Sequence, residues 1–218
     1  MQRNTLSSVP HLPPEQAVEL LLGVSAKDLY TTATQYYQKV LSAGKLQPNG
    51  SGGTLGWIYA TEAIRALLIS KGWTPSDPSN QPRIVSPDGK HAITVMRGDI
   101  HTGNPHRTPL TRNKRGNRTV KSVHFNAAQQ DMFPVSRDER QILVEATEQT
   151  LWVLLFHADV NNKVVNYELS RPVNMGENGK VDDWQPRFIL PQIDFNAPID
   201  YVAPEPSPDL DIMVTPKA

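Results

Sequence analysis

Apolar residues recur at two different spacings along the chain, and the change of spacing divides it. In the first third the spacing is helical. Pro13 and Pro14 ahead of Glu15 read as a helix start, with Val18, Leu21 and Leu22 as a short apolar face ending at Gly23. Ser25 followed by Asp28 has capping-box spacing, and Leu29, Ala33, Tyr36, Tyr37, Val40 and Leu41 then share a helical face as far as Gly44. Residues 45–53, rich in Gly and Asn, read as a flexible connection. Thr54 can cap a third helix carrying Trp57, Ile58, Ala60, Ile64, Leu67 and Leu68 up to Gly72. Two amphipathic helices joined this way predict an αα-hairpin.

From Arg83 the period becomes that of strands. Residues 83–86 and 91–96 flank Pro87-Asp88-Gly89, where Asp-Gly supplies the positive φ of a tight turn. Residues 97–121 hold almost no large apolar side chain and read as a long loop. Ser136 and Glu139 have capping-box spacing ahead of Ile142, Leu143 and Ala146, predicting a helix that runs toward Thr150. Residues 151–157 are continuously apolar, as in a strand buried on both faces. After a turn at 160–163, Val165, Tyr167 and Leu169 alternate with Asn166, Glu168 and Ser170, a half-exposed strand. A second turn at 176–179 leads to a third strand at 184–190. These three predict an antiparallel meander, and the whole predicts an α+β fold.

Composition sets the margins. Nineteen prolines against thirteen glycines, gathered at both ends and around 75–87, imply a compact body with extended edges. The expected organisation is a flexible N-terminus at 1–13 and a single domain at 14–191, helical over 14–73 and mostly β over 83–191. A proline-rich acidic tail then occupies 192–218. Between Asp194 and Ala218 lie five acids and five prolines but one basic residue, Lys217. With Ile193, Phe195, Ile199, Tyr201, Leu210 and Ile212 interspersed, this tail reads as a segment that docks on a protein partner or on its own domain.

Charge then narrows the chemistry. Twenty-two basic residues balance twenty-two acidic ones, so affinity for a polyanion must come from a local patch. The absence of cysteine excludes disulfides, thiol nucleophiles, iron–sulfur clusters and zinc ribbons. The first residues lack the apolar core of a secretion signal, and no apolar run approaches the roughly 20 residues of a membrane span. The expectation is a cytoplasmic protein with no membrane partner. On that expectation the Arg97-Gly98-Asp99 tripeptide and the Asn117-Arg118-Thr119 sequon are incidental.

The local patch lies at residues 107–121: Arg107, Arg112, Lys114, Arg115, Arg118 and Lys121, interleaved with threonines and free of acids. Guanidinium, ammonium, hydroxyl and backbone N–H groups in a Gly- and Asn-containing loop are the groups that hold phosphate oxygens of DNA or RNA. The same residues would also suit a solvated loop, or one paired with the acidic tail. No aromatic residue interrupts the run, so base stacking is not expected. A second chemistry is weaker. Asp99, His101 and His106 are possible ligands for a divalent metal, and Asp159 and Glu168, if they met across a hairpin, could serve a metal-dependent nuclease or other hydrolase. None matches a diagnostic spacing, and an acid-x-lysine pattern is missing at Glu168. Gly50, Gly52, Gly53 and Gly56 precede a helix but lack the strand and lysine of a phosphate loop. The leading expectation is a non-catalytic accessory protein, with no cofactor, that contacts nucleic-acid phosphates through 107–121 and a partner through 192–218. A divalent metal belongs only to the hydrolase alternative, and a purely structural interaction module is the third reading.

Overall fold

The computed structural model describes residues 12–129 and 149–196. They form helices α1 (Pro14–Leu22), α2 (Ala26–Leu41) and α3 (Ser51–Ile69), then strands β1 (Thr74–Ser76), β2 (Arg83–Val85) and β3 (His91–Arg97). Helix α4 (Asn117–Ala128) follows, and strands β4 (Thr150–Asp159), β5 (Val164–Met175), β6 (Val181–Ile189) and β7 (Ile193–Asp194) complete the chain. The fold is α+β, with one mixed sheet in the order β1-β2-β3-β4-β5-β6 and β7 paired to β5. No helix among the described residues is long and apolar enough to cross a membrane.

Local chemistry explains the helical third. Pro14 opens α1, and Gly23, left-handed at φ 67°, closes it by donating its N–H to the Glu19 carbonyl. At α2 the Asp28 amide donates to Ser25 Oγ at 3.2 Å, and the Ser25 amide donates to the Asp28 carboxylate at 2.9 Å. Helix α3 begins at Ser51, four residues earlier than a Thr54 cap implies, with Gly50 as N-cap. Gly52, Gly53 and Gly56 are therefore helical rather than parts of a flexible loop. A methyl group at Gly52 would lie 2.6 Å from the Val40 carbonyl oxygen, and one at Gly56 would lie 2.7 Å from Val40 Cγ2. Gly52 and Gly56 are the contact surface that lets α3 press against α2.

In the sheet, neighbours are antiparallel except β3 and β4, which run parallel with His91–Arg97 beside Thr150–Phe156. A parallel pair needs a crossover, and α4 stands in it. The sequence expectation of an uninterrupted loop through Lys121 is thus corrected. The helix expected from Ser136 lies outside the described residues, as does the N-terminal segment before Leu12. The meander strands run longer than expected, β5 to Met175 and β6 from Val181. Within the segment expected as a tail, Ile193–Asp194 pairs with Val164–Val165 of β5, and the Phe195 ring stacks on Tyr37 at 4.2 Å.

Two cores flank the sheet. Helices α1–α3 cover one face through Leu29, Tyr36, Ile64 and Leu68 against Ile93, Val95, Leu154 and Phe156. On the other face Val123 of α4 meets Met96, Val153, Leu155 and Trp184. Asn126, fully buried, anchors α4 there: its amide donates to the Leu151 and Pro172 carbonyls, and its oxygen accepts from the Leu151 N–H.

Candidate functional site

Strand β2 is short. It pairs only Ile84 and Val85 with Ile93 and Ala92, so beyond Ile93 the outer edge of β3 has no strand beside it. Instead Trp57 of α3 donates its indole N–H to the Val95 carbonyl at 3.1 Å, and Thr94 donates its hydroxyl to the Pro82 carbonyl. Above this edge lies a groove made of three adjoining cavities. The first, about 550 Å³, runs between residues 79–82 and the start of α4, with Trp57 and Met96 at its inner end. The second, about 310 Å³, shares Trp57, Met96 and Arg115 with it and adds Gly53, Thr54 and Arg97. The third, about 590 Å³, shares Thr54 and Arg97 and extends along residues 47–51.

Lys114, Arg115, Arg118 and Lys121 line the first cavity, and Arg97 lines the other two. Among the described residues no Asp or Glu lines any of the three. Among the described residues the ion pairs join Arg65 to Asp77, Lys71 to Asp28, Lys90 to Asp88 and Arg187 to Glu168, so none uses a groove cation. Arg115 and Arg118 each bury a guanidinium Nε that donates to nothing. Burial holds the Arg115 pKa below its ordinary value. Behind the wall, Arg83 is 1% exposed, and among the described residues its guanidinium bonds the Gln81 and Gln149 side-chain oxygens. Burial and the neighbouring Arg118 charge bring its pKa down to about 10.

Two helix N-termini open into the same groove. Neither α3 nor α4 has a side-chain cap or an acid in its first turn, and the N-cap of each is glycine. A helix start carries partial positive charge and free N–H groups. Gly53 lies beneath the Arg97 guanidinium so closely that a Cβ there would fall 2.0 Å from the guanidinium carbon. Across the first cavity from α4, Ser79 and Asn80 take left-handed φ angles of 50° and 59° and are exposed.

The remaining candidates go elsewhere. Arg107 and Arg112 line none of the three cavities. The Arg107 carbonyl accepts from Arg187, and the Arg112 N–H donates to the Arg97 carbonyl. The 99–115 segment is stapled to the fold: Trp184 donates to the Pro109 carbonyl at 2.8 Å, Thr111 exchanges bonds with Val181, and Arg115 donates to the Gly179 carbonyl. Asp99 spends its carboxylate on the His101 and Leu110 N–H groups, while the His106 N–H donates to the Asn104 side chain. Among the described residues no three His, Asp or Glu converge as a metal site.

Glu168 is not on a solvated face. It is fully buried, and its carboxylate accepts from Arg187, Ser170 and the Gly103 N–H, with the closest Arg187 contact at 2.5 Å. Glu168 pairs with Leu155, four residues before Asp159 on β4, which separates the two acids by about 13 Å along the strand. Asp159 instead closes the 159–162 turn, where N–H donors led by Asn162 hold its pKa low. The condition of the hydrolase alternative, that these two acids meet across the hairpin, is therefore not fulfilled.

Sequence reasoning missed Trp57, Arg97 and Arg83 as members of the site. Each looks like an ordinary helix or strand residue in one dimension, and only the short β2 reveals why they gather. Comparison with known protein families, curated proteins and solved structures found no match.

Proposed function

We propose that this protein binds a nucleic-acid backbone along the groove between α3 and α4, acting as a non-catalytic accessory protein. The observation that carries the reading is a groove with five cations on its walls, no carboxylate among the described residues, and two uncapped helix starts facing in. Concentrated positive charge without internal partners is costly, and the cost rises where Arg115 and Arg83 are desolvated. Phosphate oxygens relieve it by accepting from guanidinium forks and from open N–H groups at the helix starts. A groove of adjoining cavities suits a linear polyanion with repeated charges better than one compact anion. Lys114, Arg115, Arg118 and Lys121 are the phosphate contacts, and Arg97 extends the track. The engagement of a partner protein by residues 192–218 remains part of the proposal.

The test is binding of purified protein to short duplex and single-stranded DNA and RNA across a salt series, with and without Mg²⁺. Each neutralised phosphate contributes about 0.7 (single strand) to 0.9 (duplex) to the slope of log affinity against log salt. Lys114 and Lys121 are exposed, so the double change Lys114→Glu and Lys121→Glu leaves the fold alone. It should weaken binding and reduce the slope by roughly one to two. Affinity indifferent to salt and to this double change would sink the proposal. Metal-dependent cleavage would replace it with a hydrolase.

A further inference from the structure

Resting on that reading, we infer that the groove is built for single-stranded nucleic acid, with a base stacked on Trp57 and its phosphate at the α4 N-terminus. The cations alone would serve duplex or single strand equally. What distinguishes them is an aromatic ring where the two inner cavities join. Trp57 is half-buried, packed against the α1–α3 core on one side and bordering both cavities on the other. Its indole N–H is already held by the Val95 carbonyl, so the ring is fixed in orientation before any ligand arrives. Arg115 lines the same two cavities and brings a cation to the groove that holds the ring.

The volume is also that of a nucleotide unit. The first cavity, at about 550 Å³, lies within the ordinary range for a small-molecule pocket and has the open start of α4 along one wall. Asn117 and Arg118, in the first turn of α4, donate their backbone N–H groups to no acceptor among the described residues. A phosphate seated there leaves the attached base free to turn toward Trp57, while Ser79 and Asn80 offer neutral polar groups on the opposite wall. Duplex bases are stacked on one another and present only their edges, so the ring has nothing to stack on. An unpaired base presents its whole face.

The experiment compares a single-stranded oligonucleotide, an abasic strand of equal phosphate count, and a duplex of equal phosphate count at one salt concentration. Base–aromatic stacking corresponds to about 5- to 150-fold in affinity. Wild-type protein should prefer the base-bearing strand to the abasic one by a factor in that range. Trp57→Leu should abolish this preference, with the fold of the variant checked by circular dichroism. Trp57→Phe, which keeps a ring, should retain most of it. Equal binding of the base-bearing and abasic strands by wild type would overturn the inference while leaving the phosphate-binding reading intact. Loss of all three ligands would overturn both. A free mononucleotide bound as tightly as the strand would overturn the single-strand assignment and make the groove a nucleotide pocket.

Discussion

At the scale of single residues, several polar side chains hold positions that their sequence neighbourhood does not announce. His91 opens β3 half-buried, and Trp152 donates its indole N–H to His91 Nδ1 at 3.3 Å, which requires that nitrogen to be unprotonated. Burial lowers the His91 pKa, the nearby Asp88 charge opposes the shift, and Lys90 adds to it. A histidine depressed in the folded state binds its proton more readily once unfolded. Its contribution to stability is therefore complete above the unfolded value of about 6.5 and is lost as pH falls from there toward the folded pKa. His157 is shifted the same way, with burial as the largest cause. Urea midpoints measured between pH 7.5 and 5.5 should decline toward acid, and His91→Gln should flatten part of that decline. An unchanged profile in the variant would assign the whole effect to other groups. Glu168 teaches the same lesson differently. Alternation puts Glu168 opposite Val165, Tyr167 and Leu169, and that is right. It cannot tell that the opposite face is covered by the 99–107 segment through Arg187, so the polar face looks solvated when it is an internal ion pair.

At the scale of elements, hydrophobic periodicity finds what is buried by apolar residues and misses what is buried by small polar ones. Helices α1 and α2, the β2–β3 turn and the three meander strands carry apolar faces and are legible. Helix α4 is not, because its buried face is Thr119, Ser122, Val123 and Asn126, helical in spacing but with one apolar member. The groove inherits that blindness: the basic run is legible as a run, but not as the first turns of a helix. The glycines of α3 are misread for a related reason, since a residue that lets another element approach looks identical to one that lets the chain bend. They support a prediction that separates fold from site. At Gly52 a Cβ meets a backbone oxygen at 2.6 Å, which cannot move without parting α2 from α3. Gly52→Ala should destabilise by about 1–3 kcal/mol, read as a lowered Tm. At Gly53 the obstructing atoms are the mobile guanidinium of Arg97. Gly53→Ala should leave Tm unchanged, or raise it through the better helix propensity of alanine, while weakening nucleic-acid binding because Arg97 loses its seat. If both variants melted alike and bound alike, the distinction between packing glycine and site glycine would fail.

At the scale of the whole molecule, a chain with no net charge has separated its charges. The groove collects Arg97, Lys114, Arg115, Arg118 and Lys121, while residues 197–218 hold four acids and one lysine. The sheet topology places Asn196, the last described residue, toward the Arg97 end of the sheet. Strands β3 and β4 run parallel, so Arg97 and Asp159 lie toward the same end of the sheet, where β5 begins and where β7 pairs with Val164 and Val165. Asn196, bonded to the Asn162 carbonyl, sits at that end. Strand β7 is three strand spacings from β3, about 15 Å, a span that the twenty-two residues beyond Asn196 exceed several times over. On the proposed reading, four acids with that reach would compete with a phosphate-bearing ligand for the groove cations. Deleting residues 197–218 should raise nucleic-acid affinity several-fold at low salt, and the gain should fade as added salt screens both charges. Competition also predicts that the deleted segment, added back as a separate peptide, lowers the affinity of the shortened protein. A deletion that weakens binding instead would mean that the tail contributes contacts to the bound strand, and the charge separation would then reflect cooperation between groove and tail.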